Sequence, residues 1–260
     1  DQNAVLHVAS PTTACLEDVC RRWLLALFGL PPKAGIGFVT GATMANFSAL
    51  AAARHALLNR LGWDVEAAGL FGAPPIQVIV GAEAHVSVLK ALSLLGLGRE
   101  RVVTVAVDGQ GRMRPEAVPA LTEPAIICIQ AGNVNTGAFD PATEICAIAK
   151  ASGSWVHVDG AFGLWAAACP DRAHLAAGIS AAHSWATDAH KWLNVPYDSG
   201  IAFVADPQHL QASMASRAAY LIAGDAREPS HYTPELSRRA RGVEVWAALR
   251  SLGRSGLAGL

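Results

Sequence analysis

Four short apolar runs restrict the fold more than any other feature of this chain: IQVIV (76–80), RVVTVAV (101–107), AIICIQAG (125–132) and WVHVDGAFG (155–163). None alternates strictly between apolar and polar residues, so each reads as a strand buried on both faces rather than one with a wet side. Between them lie helical patterns, HVSVLKALSLLG (85–96) and PATEICAIAKASG (141–153). Strands alternating with helices predict an α/β domain with a mostly parallel central sheet and helices on both faces. With 52% hydrophobic and 16% charged residues, 260 residues suffice for one large core. LEDVCRRWLLALFG (16–29) predicts a helix stopped by Gly29, and Ile36 to Thr40 predicts a strand. Gly41 to Thr43 then reads as a tight turn, and Met44 to Arg60 as an Ala- and Leu-rich helix. HSWATD reads as a further buried strand. SGIAFVAD follows it too closely for a crossover helix, so that strand should run antiparallel to its neighbour. A last helix is expected within TPELSRRARGVEVWAALRSLG, with Val243, Trp246, Ala247 and Leu249 or Arg250 near one face.

In parallel sheets ligands gather at the carboxyl ends of the strands. WVHVD ends there on Asp159, with His157 on the same side by the period of two. Lys191, between His190 and Trp192, lies just past another strand. In apolar surroundings its ammonium form would be disfavoured, leaving an amine able to attack a carbonyl. The TGATMAN turn lies between a strand and a helix, where free N–H groups and the helix dipole suit an anion. An amine for a carbonyl, a carboxylate for a ring cation and a cradle for a phosphate are the three handles of pyridoxal phosphate. Each residue alone has a plainer reading: Asp159 as a turn cap, Lys191 as a snorkelling surface lysine, and the glycine turn as a steric need.

Other classes are disfavoured. The net charge is −1 with both signs mixed along the chain, unlike a nucleic-acid binder. No apolar run approaches a membrane span. Five cysteines without a CxxC pair argue against a disulfide framework or a zinc site, and are expected reduced and buried. A metal hydrolase built on His157, Asp159 and His190 lacks a close-spaced ligand motif and leaves Lys191 unexplained.

HVDGAFG with DAHKW, GFVTGATMANFSALAAAR, HVSVLKALSLLGLG and GNVNTGAFDP together resemble the pyridoxal-phosphate-dependent group II amino acid decarboxylases, from about Ser10 to Leu257. The resemblance implies the fold type I of pyridoxal-phosphate-dependent transferases, with residues 1–260 as the large cofactor-binding domain, lacking flanking segments at both ends. It implies a cytoplasmic homodimer that decarboxylates an L-amino acid. Lys191 would carry the cofactor as a Schiff base, Asp159 would pair with the pyridine nitrogen, and His85 and Ala161 would lie against opposite faces of the ring. Ala42 and Thr43 would hold the phosphate, helped by Asp188, with His190 near the phosphate or the reacting carbon and Tyr232 the nearest candidate proton donor. Met44 stands where the family has an acid, and Ala189 where proline is common, which marks a divergent branch. A carbon-carbon lyase or aminotransferase-like relative and a non-catalytic or inactive module are the alternatives. The Arg238, Arg239 and Arg241 cluster reads either as a solvated helix start or as a contact with a substrate carboxylate or second subunit.

Overall fold

The computed structural model describes residues 3–216 and 226–260. Seven strands form one sheet in the order β1-β7-β6-β5-β4-β2-β3. They are β1 (Gly35–Val39), β2 (Gln77–Gly81), β3 (Val103–Val105), β4 (Ala125–Gln130), β5 (Trp155–Asp159), β6 (Ser184–Asp188) and β7 (Gly200–Val204). Only β7 is reversed, antiparallel to both β6 and β1, as the short connection before it predicts. The other six therefore bring their carboxyl ends to one edge.

The helices are α1 (Pro11–Phe28), α2 (Ala42–Arg60), α3 (Val65–Ala68), α4 (Val86–Leu94), α5 (Ala142–Ser152), α6 (Pro207–Met214) and α7 (Gly242–Gly259). Strand residues alternate between the two faces they cover. Ile127, Ile129, Val156 and Val158 join the core under α1, α5 and α7. Ile126, Cys128 and Trp155 join the core under α2, α4 and α6. Asp159 and His157 continue the second set, so both face α2, in keeping with the period of two. Gly29 ends α1 in the left-handed conformation at φ 63, which a residue with a Cβ resists.

Four local expectations are corrected. Helix α2 begins at Ala42, so Ala42 and Thr43 belong to its first turn rather than to the preceding loop. The 101–107 run yields only a three-residue edge strand. The last helix starts at Gly242, because the segment before it is irregular and held by the amino-terminal residues: Ala4 N–H donates to the Arg238 carbonyl and Asn3 bridges Arg239. Its buried face is accordingly Val245 and Leu249, while Val243 is 39% exposed. Cys15 is exposed rather than buried, although Cys20, Cys128 and Cys146 are buried, and all five thiols are free.

The arginine cluster is not a solvated helix start: its members are engaged in ion pairs within the chain. Arg238 is buried and donates to Glu17 Oε1 at 2.7 Å, and Arg227 donates to Glu17 Oε2 at 3.1 Å, so one buried acid of α1 ties the carboxyl-terminal segment down. Arg241 makes a two-pronged contact with Asp198, at 2.8 and 3.2 Å, and Arg239 bonds Asp198 and Glu244. These pairs hold the loop that follows Lys191. In GNVNTGAFDP, Asp140 ties β4 to the segment at Met113 by accepting from Met113 N–H and Gln130 N–H, both at 2.6 Å.

Candidate functional site

At the carboxyl edge, β1 runs into α2 through Gly41, and β7 starts beside it at Gly200. A Cβ on Gly200 would lie 2.4 Å from the Gly41 backbone, so this close approach demands glycine. The N–H groups of Ala42, Thr43 and Met44 head α2 and have no acceptor within the helix. Ala42 N–H donates instead to Asp188 Oδ1 at 2.6 Å. Asp188, expected to help hold a phosphate, is thus an acceptor already bonded to the helix terminus.

Its other oxygen, Oδ2, lies 2.8 Å from Lys191 Nζ. The lysine amine also sits 3.8 Å from the centre of the Phe162 ring. Lys191 therefore does not occupy the wholly apolar seat its sequence context suggested: it rests on a carboxylate and an aromatic face, with 26% of its side chain exposed. Accessibility of this kind is what an amine that must meet a ligand requires. Next to it, His190 is stacked on Tyr197 with ring centres 3.8 Å apart. Ser199 N–H donates to His190 Nδ1 at 3.1 Å, which leaves the ring proton on Nε2, 3.4 Å from Asp188 Oδ1. Burial lowers the His190 pKa, and the Asp188 charge opposes that shift.

Asp159 ends the adjacent strand, in register with Ala186 two residues before Asp188. Its carboxylate accepts from Ala161 N–H at 3.2 Å and from Asn46 Nδ2 at 3.1 Å. Burial pushes its pKa up, countered by these donors and by the nearby His85 and Lys191. His85 caps α4, with Nδ1 accepting from Ser87 N–H at 3.2 Å, and Ser87 Oγ lies 3.5 Å from Asp159 Oδ2. The edge thus brings together Lys191, Asp188, His190, Ala42 and Thr43 at one corner, and Asp159, Ala161 and His85 beside it. Asn46, Ser87, Phe162 and Tyr197 also belong here, and sequence reasoning passed over them. The one available signal was Asn46, a fully buried amide in an otherwise Ala- and Leu-rich stretch. Tyr232 does not join the group. Its ring packs beside Gly35, at the opposite end of β1, and its hydroxyl accepts from Gln211 at 2.7 Å. Gly224 and Asp225, which precede it in GDAREPSHY (224–232), lie outside the described residues.

His157 is fully buried, and desolvation lowers its pKa to about 3. The unfolded chain, titrating at 6.5, binds a proton that the folded chain refuses throughout the interval between the two values. The stability it confers is therefore complete above pH 6.5 and falls as the pH drops. The slope should approach about 1.4 kcal/mol per pH unit. Urea unfolding at several pH values should show His157→Gln with a flatter acid limb than the parent. Equal slopes would refute the assignment.

Among the described residues, no group of three or more His, Cys, Asp or Glu side chains is placed to hold a metal ion. Phe162, whose ring meets Lys191 Nζ, also lines a cavity of about 690 Å³ together with Phe139, Trp165 and Trp192.

Comparison with known proteins gives a consistent result. The family model described as the pyridoxal-dependent decarboxylase conserved domain matches residues 1–259. The L-2,4-diaminobutyrate decarboxylase of Rhizobium meliloti (strain 1021) is 32% identical, covering 95% of this chain and 50% of its own length. The L-tyrosine/L-DOPA decarboxylase 2 of Lophophora williamsii is 29% identical over 95% of this chain and 50% of its own. The crystal structure of mouse CSAD in apo form superposes with a TM-score of 0.90 at 26% identity, over 100% of this chain and 56% of that one. The expected α/β fold type I is borne out. The chain spans about half the length of the curated relatives it matches.

Proposed function

Because this chain belongs to the pyridoxal-dependent decarboxylase family, we propose that the protein carrying it is a pyridoxal-phosphate-dependent amino acid decarboxylase, with residues 1–260 as the large cofactor-binding domain of a cytoplasmic homodimer. One observation supports this reading above the rest: Lys191 and Asp159 emerge from the carboxyl ends of adjacent parallel strands, close enough for the lysine charge to be felt at the carboxylate. The chain offers an amine for the aldehyde, a buried carboxylate for the pyridine nitrogen and the head of α2 for the phosphate. The glycine pair at Gly41 and Gly200 keeps side chains out of that corner.

When bound, pyridoxal phosphate supplies the electron sink that allows the bond between the α-carbon and its carboxylate to break. The protein's own groups orient the partners and handle protons. Lys191 would hold the cofactor through Nζ, with Asp188 Oδ2 the acceptor placed to take a proton from that atom. Phe162 lies under the amine. Asp159, held by Ala161 and Asn46, would pair with the pyridine nitrogen. His85 and Ala161 would lie against the two faces of the ring. His190 keeps its Nε2–H as a hydrogen-bond donor, and burial, by lowering its pKa, favours the neutral ring. Among the described residues no helix is long and apolar enough to cross a membrane. The substrate is set at the level of an amino acid, since matched relatives named for diaminobutyrate and for tyrosine and DOPA differ in side chain.

The test combines CO2 release from a panel of L-amino acids with borohydride reduction and peptide mass mapping. CO2 release together with a pyridoxyl group on Lys191 is the expected result. An aldehyde or keto acid formed without CO2, or a label on another residue, would overturn it.

A further inference from the structure

His157 contributes nothing to the chemistry above, yet it is fully buried with both ring nitrogens bonded. The direction of its hydrogen bonds follows from two neighbours: Trp155 can only donate, and among the described residues the Ser184 hydroxyl has no acceptor other than His157 Nδ1. Trp155 Nε1–H donates to Ser184 Oγ at 2.8 Å. The Ser184 hydroxyl proton is then available to His157 Nδ1 at 2.9 Å, which puts the ring proton on Nε2, 2.9 Å from Asn46 Oδ1. With its oxygen engaged as the acceptor, Asn46 presents both N–H groups of Nδ2 on the other side. One reaches Asp159 Oδ2 at 3.1 Å and the other Ser87 Oγ at 3.2 Å. Ser87 passes its own proton to His85 Nδ1 at 2.9 Å, and the His85 proton is left on Nε2.

We propose that Asn46 is a positioning residue: the Trp155–Ser184–His157 chain holds its amide in one orientation, and that amide favours the ionised carboxylate of Asp159 while anchoring Ser87, whose backbone N–H and hydroxyl hold His85 as the Nε2–H tautomer. The inference rests on the functional reading above, because Asp159 and His85 are the two groups assigned there to the edge and the face of the cofactor ring. Rotating the amide by half a turn would place Oδ1 against Asp159 Oδ2, two acceptors with no proton between them unless Asp159 were neutral. The opposite orientation of the Asn46 amide therefore corresponds to a protonated Asp159. His157 stays in the neutral form this arrangement needs because burial depresses its pKa to about 3. The network joins residues from α2, α4, β5 and β6, all buried except His85.

The first measurement needs no variant. In the cofactor-free intact protein labelled with 15N-histidine, His157 should show a protonated Nε2, a bare Nδ1 and no titration between about pH 5 and 9. A proton on Nδ1 would overturn the proposal. In the second, pyridoxal phosphate is titrated into parent and variants. Asn46→Ala should weaken its binding about tenfold to hundredfold, the scale for losing a hydrogen bond to a buried charge. It should also raise the Asp159 pKa, read by carboxyl 13C NMR, which loss of packing alone would not do. His157→Leu should behave like Asn46→Ala. His157→Gln, which keeps a donor toward Asn46, should stay within about threefold of the parent. Unchanged binding and an unmoved Asp159 in folded Asn46→Ala or His157→Leu would refute the role of Asn46. Failure to find a borohydride-fixed adduct on Lys191 in the parent would instead defeat the functional reading, and the tautomer of His157 would still decide the role of Asn46.

Discussion

Lys191→Ala is expected to lower turnover by at least about a thousandfold and to abolish borohydride-fixed pyridoxyl incorporation, while leaving the protein folded. The loss is large because no other amine is described as meeting both Asp188 and Phe162, so the covalent attachment has no substitute. Stability should change little, since the side chain is 26% exposed and Asp188 keeps the Ala42 N–H as a partner. Lys191→Arg separates the two roles of the residue. A guanidinium preserves the ion pair with Asp188 but is not deprotonated in proteins, so it cannot attack the aldehyde. Both variants should therefore be equally inactive. Recovery of more than about a tenth of parental turnover by Lys191→Arg would mean that the lysine acts through its charge alone.

Asp159→Ala should weaken pyridoxal phosphate binding and lower turnover together. Removing one partner from a buried, hydrogen-bonded charge pair costs on the order of 2–5 kcal/mol, which corresponds to roughly thirtyfold to several-thousandfold. Asp159→Asn is the sharper variant because it retains an acceptor for Ala161 N–H and nearly the same volume. If charge at the ring nitrogen is what matters, the Asn form should lose turnover almost as severely as Ala while unfolding at nearly the parental denaturant midpoint. Cofactor titration, steady-state CO2 release and urea unfolding on the three proteins decide it. Parental activity in Asp159→Ala would remove the residue from the site.

The strands and helices that build the frame were legible because burial on two faces, or on one stripe, leaves a period in the chain itself. The antiparallel turn into β7 was legible from the shortness of its connection. Asp159 stood out as an acid closing an apolar run, and Lys191 as a charged residue set between His190 and Trp192 just past a buried strand. The boundaries were less legible. Nothing local says that residues 233–241 are irregular rather than helical; that goes with the pairing of Arg238 and Arg239 with Asn3 and Ala4, more than 200 residues earlier. The burial of Arg238 was hidden for the same reason, since its partner Glu17 comes from the far end of the sequence.

Sequence periodicity and strand-end chemistry by themselves determined an α/β sheet with an amine and a carboxylate at its carboxyl edge, because both depend on intervals of a few residues. Tertiary structure alone decided what surrounds them. Asn46 reaches Asp159 across 113 positions, and Asp188 reaches Ala42 across 146. It also seated Lys191 on a carboxylate and removed Tyr232 to the other end of β1. Hydrogen bonds of about 3 Å are set by which strands lie side by side, and strand order depends on long crossovers that leave no mark in any local stretch of sequence.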